Sequence, residues 1–193
     1  MEINNFKRDS SSWIAAAAAG SVVLGTLALT APFLSRSPLP YMATPAGKVR
    51  RALESVKSKR HKFVDLGSGD GEAVYQATQV GYRQSVGVEL NWTLVSLAQL
   101  RRLLWTADER SRSTFHRQDL FQYNLSDADT VLIFGVNPLM VPISRKLAAE
   151  CRAGTHILSY RFKLPLYDNE ATNDLLDADI VYDHEEMVVY RSR

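Results

Sequence analysis

From residue 48 onward, apolar positions along the 193-residue chain switch repeatedly between two periods. KVRRALESVKS (48–58) has helical spacing, with Val49, Leu53 and Val56 on one face. KFVDLG (62–67) is a short apolar run around a single aspartate, the pattern of a buried strand. EAVYQATQVG reads as a short helix closed by Gly81. QSVGVEL is a second strand, and NWTLVSLAQLRRLLW a helix with apolar residues at Leu94, Leu97, Ala98, Leu104 and Trp105. STFHRQDL and DTVLIFGV are the third and fourth strands. PLMVPISRKLAAEC is a helix with proline in its first turn, where the missing N–H is tolerated. THILSYRF is a fifth strand, and DIVYDHEEMVVYR two more around a tight turn near His184. Strands alternating with helices predict an α/β fold, an open and mostly parallel sheet with helices on both faces. In such sheets ligands bind beyond the carboxyl ends of the strands, where strand order reverses.

The N-terminal part breaks the alternation. No residue between Asp9 and Arg36 is charged, and WIAAAAAGSVVLGTLALTAPFL runs from Trp13 to Leu34. As a helix this run reaches roughly 33 Å, enough to cross a hydrocarbon core of about 30 Å. The expectation is a tail at 1–12, a transmembrane anchor in the lipid bilayer at 13–34, a proline-containing linker at 35–47 and a globular domain at 48–193. A secretory signal peptide is the competing reading, because Lys7 and Arg8 precede the run and small residues end it. A cleavable mitochondrial presequence fits less well, since no arginines are spread along a helical face. Lys7 and Arg8 lie before the span, and Arg36, Lys48, Arg50 and Arg51 after it. The positive-inside bias therefore favours a globular part on the cytosolic or matrix side.

Composition adds little to this picture. Hydrophobic residues make up 46% and charged residues 23%, as in ordinary folded domains, and a net charge of +2 gives no reason to expect nucleic acid. Cys151 is the only cysteine, which excludes an internal disulfide and a multi-cysteine metal site; it reads as a packed thiol. His61, His116, His156 and His184 are scattered without ligand spacing, so no metal site is expected.

The chemistry concentrates in FVDLGSGDG (63–71), at the end of the first strand. A dinucleotide fingerprint requires G-x-G-x-x-G, but Gly67-Ser68-Gly69-Asp70-Gly71 puts Glu72 where the third glycine belongs. Carboxylates at Asp65 and Asp70 serve an anionic pyrophosphate poorly and a cationic sulfonium well. Glu89, ending the second strand, stands where an acid takes both ribose hydroxyls, a feature common to either cofactor. Asp119 in RQDL can accept from an adenine amino group, with Leu120 against the ring. Taken singly, Asp65 could cap a turn and Asp119 could be a surface aspartate; in order, the glycine loop, Glu89 after strand two and Asp119 after strand three point to S-adenosylmethionine.

These residues resemble the class I, seven-stranded S-adenosylmethionine-dependent methyltransferases. With the short apolar segment, the stretches YMATP, FVDLGSGDGEAV, VGVELN, QDLF, LIFGV and YRFKLP further resemble the mitochondrial protein-lysine methyltransferases. These modify the c subunit of ATP synthase or, in a sister branch, the adenine nucleotide translocase; LIFGV looks more like the c-subunit branch. The resemblance spans about residues 13–183. It implies a Rossmann-like seven-stranded sheet behind one transmembrane helix, S-adenosyl-L-methionine as cofactor, and a membrane-protein substrate. It also implies the mitochondrial inner membrane, with the catalytic domain facing the matrix. Carried over by position, the cofactor site is Asp65, Gly67, Ser68, Gly69, Asp70, Gly71, Glu89, Asn91 and Asp119. The chain departs from the family at Glu72, where arginine is usual, at ELNWTLV, which replaces an asparagine-proline-tryptophan run, and at Phe121 of QDLF, where tryptophan is common.

Methylation of lysine needs a neutral amine placed in line with the sulfonium methyl, in an apolar pocket that disfavours the ammonium. No general base is required, and the sequence assigns none. Acceptor-side candidates are Asn137, with Pro138, after strand four, and Tyr41 and Thr44 in the lead-in; Tyr160 and Arg161 rank lower. Other classes stay open: a membrane-tethered small-molecule methyltransferase, a non-catalytic cofactor-binding assembly factor, and, last, a nicotinamide-dependent oxidoreductase.

Overall fold

Apolar runs that alternate in period fold here as strands and helices in turn. The computed structural model describes residues 45–56, 60–135, 137–184 and 186–193. The tail, the anchor at Trp13–Leu34, the linker as far as Thr44, and Tyr41 with it lie outside the described residues. Among those described, no helix is long and apolar enough to cross a membrane. The elements are α1 Ala46–Ser55, β1 Lys62–Leu66, α2 Glu72–Val80, β2 Gln84–Glu89, α3 Trp92–Arg102, α4 Ala107–Ser111, β3 Ser113–Arg117, β4 Thr130–Phe134, α5 Asn137–Glu150, β5 His156–Tyr160, β6 Ala178–His184 and β7 Met187–Ser192.

The sheet has seven strands in the order β3-β2-β1-β4-β5-β7-β6. β1 to β5 run parallel, and β7 lies antiparallel between β5 and β6. Strand order reverses between β1 and β4, so the glycine loop after β1 opens at the switch point. Strand alternation sorts the side chains into two cores. Phe63, Leu132, Leu158, Met187 and Val189 face α1 and α2, which contribute Val49, Leu53, Val74 and Ala77. Val64, Leu66, Val86, Val88, Val131 and Ile133 face α5, which contributes Met140, Ile143 and Leu147. β1 is buried at all five positions, which is why its sequence is an apolar run rather than an alternation.

Four details differ from the sequence pattern. α1 begins at Ala46 and ends at Ser55, earlier at both ends than the spacing suggests. Leu97 and Leu104 were expected on the apolar face of α3, yet they are 43% and 88% exposed. The helix instead buries Leu94, Val95 and Ala98, and it stops at Arg102, leaving Leu104 in the following turn. α5 contains a second proline, Pro142, inside the helix, so one backbone bond of its ladder is missing there. The five-residue α4, fixed by a capping box between Thr106 and Glu109, had no hydrophobic period to reveal it.

Candidate active site

The loop after β1 is stitched to β2 by its backbone. Gly67 and Ser68 donate to the Val88 carbonyl at 2.8 and 3.1 Å, and Gly69 donates to Glu89 Oε2 at 3.1 Å. Glu89 Oε1 accepts from Asn91 N–H at 2.8 Å, so one carboxylate spans the ends of both turns. Gly71 starts α2 with φ +83°, and a Cβ there would come within 2.5 Å of the Phe115 ring. A Cβ on Gly87 of β2 would meet the same ring at 2.5 Å and Ser68 Oγ at 2.6 Å. The loop therefore lies against Phe115 and β2 with no room for side chains at these two positions. The Ser68 hydroxyl is buried with no hydrogen-bond partner among the described residues.

Asp65 is 5% exposed near the carboxyl end of β1, and its carboxyl accepts no hydrogen bond among the described residues. Burial pushes it up to about 8, and the negative charges of Glu89 and then Asp70 add to the rise. At neutral pH it is therefore protonated, and a cation arriving beside it would ionise it. Asp70 is paired with Arg101 of α3. The same guanidinium meets Glu72 Oε2 at 2.6 Å, and Glu72 Oε1 accepts from Gln76 at 2.9 Å. Arg101 thus takes up the charge that Glu72 adds to the loop, a link that no local sequence signal reveals.

The other anticipated residues fall on the same carboxyl edge. Asn91 accepts from Thr93 N–H at 2.9 Å and caps α3. Asp119 accepts from Phe121 N–H at 2.9 Å and caps the short turn Leu120–Gln122, while Leu120 is half-buried against the second core. Asn137 is exposed at the first position of α5. Tyr160, ranked low from sequence, is 5% exposed and donates from its hydroxyl to Glu186 Oε2 at 2.7 Å.

The donor set suits a cation. Glu89 brings a negative charge that would repel a pyrophosphate, and the Asp65 carboxyl behind it offers no cation to hold one. A ligand bringing a sulfonium and an ammonium would instead meet a buried acid that has no hydrogen-bond partner among the described residues. The sheet order, with its reversed last hairpin and its loop at the switch point, is that of the class I S-adenosylmethionine-dependent methyltransferases.

The sequence profile of the ANTKMT methyltransferase domain matches residues 65–171, beginning at Asp65 itself. The chain belongs to this methyltransferase family. It is 37% identical over 158 residues to the adenine nucleotide translocase lysine N-methyltransferase of Mus musculus, covering 79% of this chain and 68% of that protein. To the Caenorhabditis elegans lysine N-methyltransferase that acts on the ATP synthase c subunit it is 35% identical over 162 residues, covering 80% and 83%. Among solved structures it is similar to an RNA methyltransferase from Salinibacter ruber in complex with S-adenosyl-L-homocysteine. That match has TM-score 0.63 and 26% identity, and covers 78% of this chain and 92% of the other.

Proposed function

We propose that the protein methylates a lysine side chain of a membrane protein, the c subunit of ATP synthase being the first acceptor to test. The observation that carries the reading is the carboxyl set of Asp65, Asp70 and Glu89 around the glycine loop, in a chain of the lysine-methyltransferase family. S-adenosylmethionine, when bound, supplies an activated methyl group on a positively charged sulfur. Asp65 would hold its amino-acid end, Glu89 the ribose hydroxyls, and Asp119 with Leu120 the adenine. With the cofactor bound, a neutral lysine amine would take the methyl group in line: the N–C bond would form as the S–C bond breaks, the bonding pair would stay on sulfur, and the methylated ammonium would then release a proton to water. A nearby positive charge and an apolar wall both disfavour the ammonium, so the amine enters neutral without a dedicated base.

Supporting the c subunit are the LIFGV segment at the end of β4 and the coverage of 83% of the nematode relative. A second reading, the adenine nucleotide translocase, is favoured by the 37% identity to the mouse enzyme. In either case we place the enzyme on the mitochondrial inner membrane, held by Trp13–Leu34 with its catalytic domain in the matrix. Tethering there raises the effective concentration of a lysine near the bilayer surface. The test uses mitochondrial membranes from cells lacking the protein, supplied with purified enzyme and methyl-labelled cofactor beside an Asp70→Ala control. Label in a small proteolipid supports the first acceptor and label in the nucleotide carrier the second. Cofactor binding without any protein label overturns both.

A further inference from the structure

Next to the glycine loop, on the same face of the sheet as Asp65, lies a second cluster, separate from the residues assigned above to the cofactor. Asp65 shares its face with Phe63, and its register partner on β4 is Leu132, so Phe134 stands two residues nearer the carboxyl edge. Phe134 pairs in register with Tyr160 of β5, and their rings lie 5.5 Å apart. Glu186, leading into β7, closes the group: it accepts from the Tyr160 hydroxyl at 2.7 Å. Arg161 stands at φ 72°, an uncommon conformation for a side-chain-bearing residue, held by its N–H on the Glu186 carbonyl at 2.6 Å. Into this group reaches a primary ammonium. Lys48 of α1 places Nζ 5.5 Å from the centre of the Tyr160 ring and 3.1 Å from Glu186 Oε2.

The geometry points to Phe134, Tyr160 and Glu186 as the cradle for the acceptor lysine, with Lys48 holding that place until a substrate lysine displaces it. This rests on lysine being the acceptor. An aromatic face and a carboxylate within reach of one ammonium are what recognise a lysine head, through the ring's negative quadrupole and the opposite charge. The position also fits. Acids at β1 and β2 receive the cofactor, and the cradle at β4 and β5 lies one strand further along the same edge, where an amine would approach the methyl group. The Tyr160 hydroxyl first, then Lys48, hold the Glu186 carboxyl down at about 2. It therefore remains a carboxylate throughout the working pH range and is too weak a base to take the lysine proton. It recognises the cation at the mouth. An ordinary ion pair fastening α1 to β7 would show the same contacts, and kinetics separates the two roles.

The experiment measures steady-state methylation of the c subunit and of the translocase in detergent, with cofactor binding followed separately by calorimetry. Glu186→Gln and Tyr160→Leu are expected to raise the acceptor KM on the order of tenfold, leaving the cofactor Kd within about twofold. Tyr160→Phe, which keeps the ring, should lie between these and the wild type. Lys48→Met should lower the acceptor KM at least about threefold, because it removes an internal competitor. Glu186 is exposed, so its variant keeps the test valid if Tyr160→Leu fails to fold. Methyllysine formed by the wild type with unchanged KM in Glu186→Gln, or a raised KM in Lys48→Met, overturns the cradle alone. Wild-type enzyme that forms no methyllysine on either protein overturns the lysine reading together with it.

Discussion

Replacing Asp65 with asparagine removes one ionisable proton and almost no volume, so its consequences are electrostatic. In the folded, cofactor-free protein this carboxyl titrates at about 8, against 3.8 for an unperturbed aspartate. A gap of about four units, at about 1.4 kcal/mol each, sets a ceiling on the order of 5 kcal/mol. The sign follows from proton counting. Between pH 4 and 8 the unfolded chain has released this proton and the folded chain has kept it, so rising pH favours unfolding. That loss begins above about pH 4, accumulates to about pH 8 and then levels off. Asp65→Asn lacks it. The variant should exceed the wild type in stability by about 2 kcal/mol or more at pH 8.5, with relaxation of the site taking up the remainder of the ceiling. The advantage should shrink steadily toward pH 4, as read by urea denaturation at pH 5.5, 7 and 8.5. Cofactor binding reports the same proton from the other side. A cation beside Asp65 ionises it, so the wild type should release up to one proton per cofactor bound at pH 7. Calorimetry in two buffers of different ionisation enthalpy counts that proton. Asp65→Asn should release none from this site and bind at least about tenfold more weakly. Parallel stability–pH curves for the two proteins would refute the account, because they would mean the carboxyl is already charged in the free enzyme.

Gly87→Ala places a Cβ 2.5 Å from the Phe115 ring and 2.6 Å from Ser68 Oγ, so it should cost about 1–3 kcal/mol and lower Tm by roughly 3–10 °C in a thermal melt. Arg101→Gln leaves Asp70 and Glu72 without the cation between them; stability should fall by about 1 kcal/mol or less, the group being partly exposed, while cofactor Kd rises several-fold in calorimetry. Arg101→Lys should restore part of that affinity. Cys151 has its thiol pushed up to about 12 by burial and then by Glu150, so iodoacetamide at pH 8 should alkylate it far more slowly in the native protein than in urea. Intact mass gives both rates, and equal ones would contradict the burial.

The parts of this fold that were legible in the sequence are those encoded locally. The parallel strands β1, β4 and β5 are largely apolar runs bounded by turn residues, and α2 and the strands around it follow the period within a residue or two. The glycine loop and Glu89 were legible for the same reason, because a loop between one strand and the next helix needs no knowledge of distant chain. What escaped depends on partners far apart. Arg101 reaches Glu72 across 29 positions, and Lys48 reaches Glu186 across 138. No periodicity records such pairs. Leu97 and Leu104 misled because hydrophobicity at helical spacing says which residues can share a face, while only the neighbouring strands decide which face is covered. Asn91 and Asp119 show a third case: each was read as a ligand contact, and each also satisfies a backbone N–H at the start of the next turn. Asparagine and aspartate suit such caps. A polar residue just after a strand can therefore serve the backbone and the site together.

The division of charge along the carboxyl edge explains why both substrates can be cations. Cofactor and lysine ammonium would repel one another if they met fully charged in a dry site. The acids at β1 and β2 stand on the cofactor side, and Asp65 stays protonated until that positive charge arrives. On the acceptor side Glu186 is exposed, while Phe134 and Tyr160 lie below it in the apolar face. A lysine entering past Glu186 moves from a carboxylate toward aromatic walls and a like charge, and each step of that path favours release of its proton. Recognition as an ammonium and reaction as an amine are thus assigned to different depths of one site, which is why a carboxylate held near 2 belongs at the mouth and no general base is needed at the methyl group.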